Sequence, residues 1–125
     1  MKIDCYLNLN KDCVSVRSRE SEDYGTVVSH EPKVHVRDVE FVVQPSGRQK
    51  VREEQVKNVH AFVRGKWDES KQVLYGTKVD YDPFGVGEFF EKETGRVVRG
   101  ADLCCVTRQG VSAEGLEYEK EEIKQ

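Results

Sequence analysis

Apolar and polar side chains alternate at the start of the chain, which predicts a half-buried β-strand over residues 2–9. The odd positions of this segment carry Ile3, Cys5, Leu7 and Leu9. Residues 10–12 read Asn-Lys-Asp, a composition that favours a turn. Val14 and Val16 then continue the alternation. We therefore predict a β-hairpin over residues 2–18.

The same period of two recurs through most of the chain. It predicts further strands at 26–29, 33–43, 59–64, 73–75, 77–81, 88–91, 96–98 and 101–107. Within residues 33–43 the apolar positions change parity near Asp38, which indicates a β-bulge or a break in the strand. Pro32, Gly65 and residues 82–85 are expected to end strands or form turns.

Residues 46–55 are the one internal stretch that favours a short helix, with Ser46 as its N-cap. Val51 is the only apolar residue of this stretch apart from glycine. Such a helix would bury little apolar surface, so an exposed strand or loop fits the sequence nearly as well.

The composition agrees with a fold made mostly of strands. Valine occurs 20 times, against five leucines and three alanines, and valine favours the pleated sheet. We therefore predict a mostly β protein, an antiparallel barrel or sandwich with at most one short helix. Residues 1–113 are expected to form a single domain, followed by an acidic C-terminal tail at 114–125 that is a frayed helix or disordered.

The charge of the chain is concentrated at its end. The formal net charge is −3, and residues 114–125 hold five glutamates and two lysines. The rest of the chain is balanced at 18 positive and 18 negative side chains. Because binding of duplex DNA depends on neutralising phosphates, this balance makes duplex DNA an improbable partner.

The sequence contains no apolar run long enough to span a membrane and no signal-peptide pattern at its start. We therefore expect a cytoplasmic protein whose four cysteines are reduced. None of the cysteines forms a CxxC pair, and the histidines His30, His35 and His60 lie in no metal-binding or hydrolase motif. No catalytic residue, metal ion or cofactor is predicted.

A basic segment at residues 46–66 is the strongest candidate for a binding site. It holds six lysines and arginines against two glutamates, and Arg48, Lys50 and Arg52 would share one face of an extended strand. Guanidinium groups suit phosphate, and nearby aromatic rings suit a base. The predicted ligand-binding residues are Arg48, Lys50, Lys57, Asn58, His60, Arg64, Tyr81 and Phe84. The plainer interpretation is a solvated charged surface.

Four short blocks carry a resemblance to a known group. They are YLNLNKDCVSVRS at 6–18, GRQKV at 47–51, KNVHAFV at 57–63 and YDPF at 81–84. In this order they resemble small uncharacterised accessory proteins of tailed bacteriophages. The resemblance spans roughly residues 3–90. It implies a phage protein acting in the bacterial host cell, and such proteins often bind and disable a host component.

Three functions are compatible with these observations. The first is a non-enzymatic, anti-defence protein that sequesters a phosphorylated ligand, such as a cyclic nucleotide signal. The second is an inhibitor that binds a host protein through the charged loop at 17–23 and the acidic tail. The third is an enzyme acting on nucleotides, with His60 as acid or base. The adjacent Phe89 and Phe90 point to opposite sides of a strand, which favours a homo-oligomer.

Overall fold

The structure, a computed structural model, describes residues 1–20, 22, 24–56, 58–70 and 76–119. In this part of the chain it contains ten strands and one helix. The strands are β1 (Lys2–Asn8), β2 (Cys13–Ser18), β3 (Val27–Glu31), β4 (Lys33–Val43), β5 (Ala61–Trp67), β6 (Thr77–Asp80), β7 (Phe90–Glu91), β8 (Val98–Thr107), β9 (Gly110–Glu114) and β10 (Glu117–Tyr118), and the helix α1 is Pro45–Glu54.

The strands form one antiparallel sheet that is open. Its order is β3-β2-β1-β5-β4-β8-β9-β6-β7, and β10 pairs with β8. The prediction of a mostly antiparallel β fold with one short helix is confirmed. The sheet does not close into a barrel, so the arrangement is sandwich-like, with β1 and β2 contacting β8 across the core.

The core lies on the inner face of this sheet, and valine is its commonest residue. Ile3, Cys5, Val14 and Val16 of the opening hairpin are fully buried, in agreement with the predicted alternation. The register pairs Cys5 with Val16, so both point inward from neighbouring strands. Burial of such side chains contributes about 1.5–3 kcal/mol each, relative to leaving them exposed.

The predicted irregularity near Asp38 is present. The β4–β5 register shifts between Arg37 and Glu40, and Asp38 has a positive φ of 52°. This bulge explains why the apolar positions of β4 change parity while Val36, Val39 and Phe41 all stay buried.

Two predicted strand boundaries were wrong. Gly65 lies inside β5, because a side chain there would collide with the Arg37 carbonyl oxygen and only glycine allows the close strand approach. Residues 101–107 are not the last strand, since β9 and β10 follow them. The boundary expected at residue 113 falls inside β9, and the sheet continues to Tyr118.

Two predicted segments lie outside the described residues, namely the strand at 73–75 and the part of the tail from residue 120.

Helix α1 resolves the alternatives left open for residues 46–55. It begins with Pro45 in its first turn, where a missing N–H costs nothing, and ends at Glu54, where Gln55 with left-handed backbone follows as the C-cap. The predicted Ser46 cap is wrong: the N-cap is Gln44, and no side chain caps it. In the described residues no helix is long and apolar enough to cross a membrane.

Candidate functional site

A cavity of about 660 Å³ opens on the inner side of the sheet. One wall comes from β1 and the start of β5, and the other from β6, Phe89 and the β8–β9 hairpin. Its apolar surface includes Leu7, Ala61, Val63, Val79, Phe89 and Val111. This volume falls within the range of about 300–1,000 Å³ that is usual for small-molecule sites.

Helix α1 and the turn at 82–85 form one side of the cavity through Val51 and Pro83. The Arg48 guanidinium joins these two elements: its Nε donates to the Pro83 carbonyl at 3.1 Å, and its NH2 donates to the Gly85 carbonyl at 3.0 Å. The predicted turn is present, because the Gly85 N–H donates to the Asp82 carbonyl. Arg48 therefore holds the turn against the helix.

His60 and Tyr81 form a hydrogen-bonded pair in the cavity wall. His60 Nδ1 lies 2.8 Å from the Asn58 carbonyl oxygen, which only accepts, so Nδ1 carries the proton. In the neutral imidazole, His60 Nε2 then accepts from the Tyr81 hydroxyl at 2.7 Å. The Tyr81 ring also packs against Phe89, with centroids 5.3 Å apart. Contacts on both sides therefore fix the orientation of the phenol.

Burial raises the pKa of Tyr81, and the nearby Arg48 charge opposes this only partly. Because the pKa of Tyr81 is higher in the folded protein than in the unfolded chain, the neutral phenol stabilises the fold fully at pH below the unfolded-state pKa of about 10. This contribution is lost as the pH rises through the folded-state pKa.

We expect the Tyr81→Phe variant to lose less stability than the parent when the pH is raised from neutral to above 10. Urea unfolding at both pH values measures this. Tyr24→Phe, at a ring that is 64 % exposed, is the control and should behave like the parent.

The remaining polar groups of the wall are neutral hydrogen-bonding groups and one carboxylate. They come from Tyr6, Asn8, Asn10, Asn58, Thr107 and Asp80. No lysine or arginine among the described residues lines the cavity. The site therefore suits an uncharged, largely apolar group with a few hydrogen-bonding atoms.

The thiol of Cys5 also reaches the cavity, but it is chemically quiet. The residue is fully buried, and burial raises the pKa of its thiol far above the usual range, with a smaller contribution from Asp4. A thiol held in its protonated form is a poor nucleophile.

The structure brings only part of the predicted binding set together. Asn58, His60 and Tyr81 line the cavity. Arg48 is hydrogen-bonded to the 82–85 turn, and Phe84 is 64 % exposed outside the cavity.

The other predicted residues lie elsewhere. Lys50 is exposed on α1, and Arg64 binds both oxygens of Asp4 on the opposite side of the sheet. Lys57 lies outside the described residues. A shared face for Arg48, Lys50 and Arg52 required an extended strand, whereas this segment is helical: a helix rotates about 100° per residue and turns Lys50 away from the other two.

Sequence reasoning missed most of the cavity wall. Leu7, Val79, Val106 and Val111 come from strands far apart in the chain, and each reads locally as an ordinary inward-facing strand residue. Asn8 and Thr107 gave no signal either, since each ends a strand where polar residues are common.

The sequence also did not predict a contact of a second histidine, His30. His30 Nδ1 lies 3.0 Å from the Ser15 hydroxyl, which accepts a hydrogen bond from the Asn8 side-chain amide at 3.1 Å. Ser15 is completely buried. Its hydroxyl is therefore shielded from substrate, and the contact is structural.

Comparison with known proteins places the chain among phage proteins. The sequence profile of the Mycobacterium phage L5 gene 82 protein matches residues 1–114. A curated relative, the Gene 82 protein of Mycobacterium phage L5, is 31 % identical and aligns with 90 % of this chain and 95 % of its own length. No solved structure gives a significant match. The predicted resemblance to small phage proteins is confirmed, and the chain belongs to the family of the Mycobacterium phage L5 gene 82 protein.

Proposed function

We propose that this phage protein is a non-enzymatic binding protein that sequesters a small host molecule in its cavity, in the cytoplasm of the bacterial host. The observation that carries the proposal is a ligand-sized, largely apolar cavity with one ordered polar pair, His60–Tyr81, in its wall. A fixed polar pair in an apolar wall provides orientation and specificity, whereas the apolar surface provides affinity.

The chemistry of the wall defines the ligand class. Tyr81 donates its proton to His60, so its oxygen still has a free lone pair to accept a hydrogen bond from a ligand. Phe89 packs against both the Tyr81 and Phe41 rings and adds apolar wall beside the hydroxyl. A planar ring with an N–H donor, such as a nucleobase, fits this arrangement. If the ligand is a nucleotide signal, its base enters the cavity and its phosphates stay outside the described lining.

Two observations favour binding over catalysis. Cys5, the thiol in the cavity wall, is held protonated by burial. His60 is oriented by the Asn58 carbonyl oxygen rather than by a carboxylate. In the described wall, His60 therefore lacks the carboxylate partner that orients the base of a catalytic triad.

The test is a thermal-shift screen with nucleobases, nucleosides, linear and cyclic nucleotides and uncharged aromatic metabolites. A ligand at 100 times its Kd stabilises the fold by about 2.7 kcal/mol. We expect at least one base-containing compound to raise the melting temperature and to be recovered intact. If the compound is recovered chemically changed, the protein is an enzyme and the proposal is wrong.

Variants that fill the cavity locate the site. We expect Val111→Trp and Leu7→Trp, on opposite walls, each to weaken binding at least tenfold, because the added ring occupies the ligand volume. Val28→Trp is the matched control, since Val28 is 41 % exposed on β3, outside the cavity lining. Equal binding by folded cavity variants and by the control would contradict the proposal, as would the absence of any binder in the screen.

A further inference from the structure

The outer face of the sheet carries a row of like charges across three neighbouring strands. Lys2 of β1 lies directly opposite Lys66 of β5, and Lys66 lies directly opposite Arg37 of β4. Arg19 extends the row, because its N–H donates to the Lys2 carbonyl at 2.9 Å. Like charges directly opposite each other destabilise a sheet. The Asp38 carboxylate lies 3.5 Å from Lys66 Nζ and offsets the charge repulsion at Lys66. Both side chains are more than half exposed, so the offset is small.

The next row of the same face alternates in sign. Asp4 of β1 lies opposite Arg17 of β2 and opposite Arg64 of β5, and Arg64 lies opposite Glu40 of β4. The Arg64 guanidinium takes both Asp4 oxygens, at 2.8 and 3.1 Å. Arg19 stays 4.0 Å from the same carboxylate. Asp4 thus forms ion pairs with two guanidinium groups, and the pair with Arg64 is the shorter.

Arg17 and Arg19 each have a buried Nε with no hydrogen-bond partner among the described residues. Arg17 is held by aromatic rings instead: its Cζ lies 5.0 Å from the Tyr6 ring centroid and 5.5 Å from that of Phe62. Such stacking fixes the plane of the guanidinium without neutralising its charge. Because the Nε of Arg17 is closed to solvent, an external anion would be bound by the NH1 and NH2 groups of the oriented guanidinium.

An exposed aromatic ring lies on the same face. Tyr24 is 64 % exposed, and Arg19 lies 5.9 Å from its ring centroid. The pKa of Arg64 is raised mainly by its hydrogen bond to Asp4, with smaller contributions from Glu40 and Tyr24. Tyr24 is therefore close to both Arg19 and Arg64, with its ring open to solvent.

We propose that this cationic face, made of Lys2, Arg17, Arg19, Arg37, Arg64 and Lys66, binds single-stranded nucleic acid. The outer N–H groups of these arginines and lysines contact phosphates, and the exposed Tyr24 ring stacks on a base, the combination used by sequence-tolerant single-strand binders. The face is opposite the cavity, because Cys5 and Val63 point inward while their neighbours Asp4 and Arg64 point outward. It is thus a second site, independent of the proposed cavity ligand.

The carboxylates on and beside this face set its affinity. Among the described residues they include Asp4, Glu20, Asp38, Glu40 and Asp68, against six cations. The excess is small and local in a chain with net charge −3. Binding is therefore weak, strongly salt-dependent and confined to a few phosphates, which a flexible single strand supplies better than a rigid duplex.

The experiment is a titration of fluorescein-labelled dT12 with the full chain, followed by anisotropy between 25 and 200 mM NaCl. We expect saturable binding at low salt that weakens as salt rises. The double variant Lys2→Gln/Arg37→Gln should reduce the slope of log K against log salt by about 1.4, since each lost phosphate contact contributes about 0.7. Its melting temperature should stay equal or rise, because the row of like charges is relieved.

Two further variants separate stacking from charge. Tyr24→Leu keeps an apolar side chain but removes the stacking ring, and it should weaken binding about fivefold or more with an unchanged salt slope. Lys11→Gln/Lys92→Gln removes the same net charge from exposed positions away from the face, and it should weaken binding less than twofold.

The results that would overturn the proposal for the cationic face differ from those that would overturn the proposal for the cavity. No saturable binding of dT12 at 25 mM NaCl, or equal losses in the two double variants, would exclude a site on this face. Tighter binding of a labelled oligoglutamate than of dT12 would assign the face to an acidic protein partner. Val111→Trp should bind dT12 like the parent, so loss of cavity binding leaves this result unaffected.

Discussion

Replacing Gly47 by alanine is expected to destabilise the protein, although the same change within an exposed helix normally stabilises it. Glycine in a helix interior costs about 0.5–1 kcal/mol relative to alanine. Here an added Cβ would lie 2.5 Å from His60 Cβ and 3.3 Å from the Asn58 side-chain nitrogen. Since Cβ atoms move only with their backbone, α1 must shift away from the wall. We expect a loss of about 1–3 kcal/mol, as is typical of overpacking.

Urea unfolding at pH 7 measures this change, and Ser46→Ala is its control on the same helix. Ser46 is exposed and caps nothing. Its replacement should therefore change stability by less than about 0.5 kcal/mol, rather than by the roughly 1 kcal/mol that loss of an N-cap costs. A stabilised Gly47→Ala protein would mean that α1 does not pack closely on His60.

Replacing Arg48 by glutamine is expected to lower the melting temperature and to loosen one side of the cavity. The guanidinium donates two hydrogen bonds to backbone carbonyls of the 82–85 turn, and hydrogen bonds from charged donors contribute about 1.5–3 kcal/mol. Because Arg48 is partly exposed, we expect a combined loss of about 2 kcal/mol. Sequence reasoning alone treats Arg48 as a phosphate ligand whose removal leaves the ligand-free protein unchanged, so the two interpretations predict different results.

Arg52→Gln is the matched control, because Arg52 is exposed in the last turn of the same helix. Differential scanning calorimetry of the ligand-free proteins measures both changes. We expect Arg52→Gln to remain within about 0.5 kcal/mol of the parent, as is usual for surface positions. If Arg48→Gln is equally mild, the contact between α1 and the turn does not hold the cavity wall.

Much of the fold was predictable because strand alternation is a local signal. Ile3, Cys5, Val14 and Val16 showed the inner face of the opening hairpin, and the change of parity at Asp38 showed the bulge. Strand order was not predictable, because it depends on pairing between segments far apart in sequence. The pairing of β1 with β5, across about sixty residues, is an example.

The end of the sheet was harder to locate than its beginning. Residues near Glu117 have high charge and little apolar periodicity, which favours a tail. In the structure Glu117 and Tyr118 pair with Gly100 and Val98 of β8. Gly100 approaches the Val39 carbonyl so closely that any side chain would collide with it. Such a contact leaves no trace in local composition.

The two candidate sites could not be assembled from the sequence either, because each is formed by residues that are far apart in the chain. The basic segment was visible because its charges are consecutive, but α1 turns them in different directions. The cationic face was not visible, because Lys2, Arg19, Arg37 and Lys66 lie on four separate segments and meet only through strand register. Charge that is spread along the chain becomes a surface feature only when the sheet forms.

The most direct test of the central claim is methyl NMR of the valine-labelled protein with and without dissolved xenon, which enters apolar cavities. We predict xenon-dependent shifts at the methyl groups of Val63, Val79 and Val111, which line the cavity, and none at Val36 and Val39, which are buried and whose strand partners lie outside the cavity lining. Shifts spread equally over all five residues, or their absence at the first three, would contradict the account.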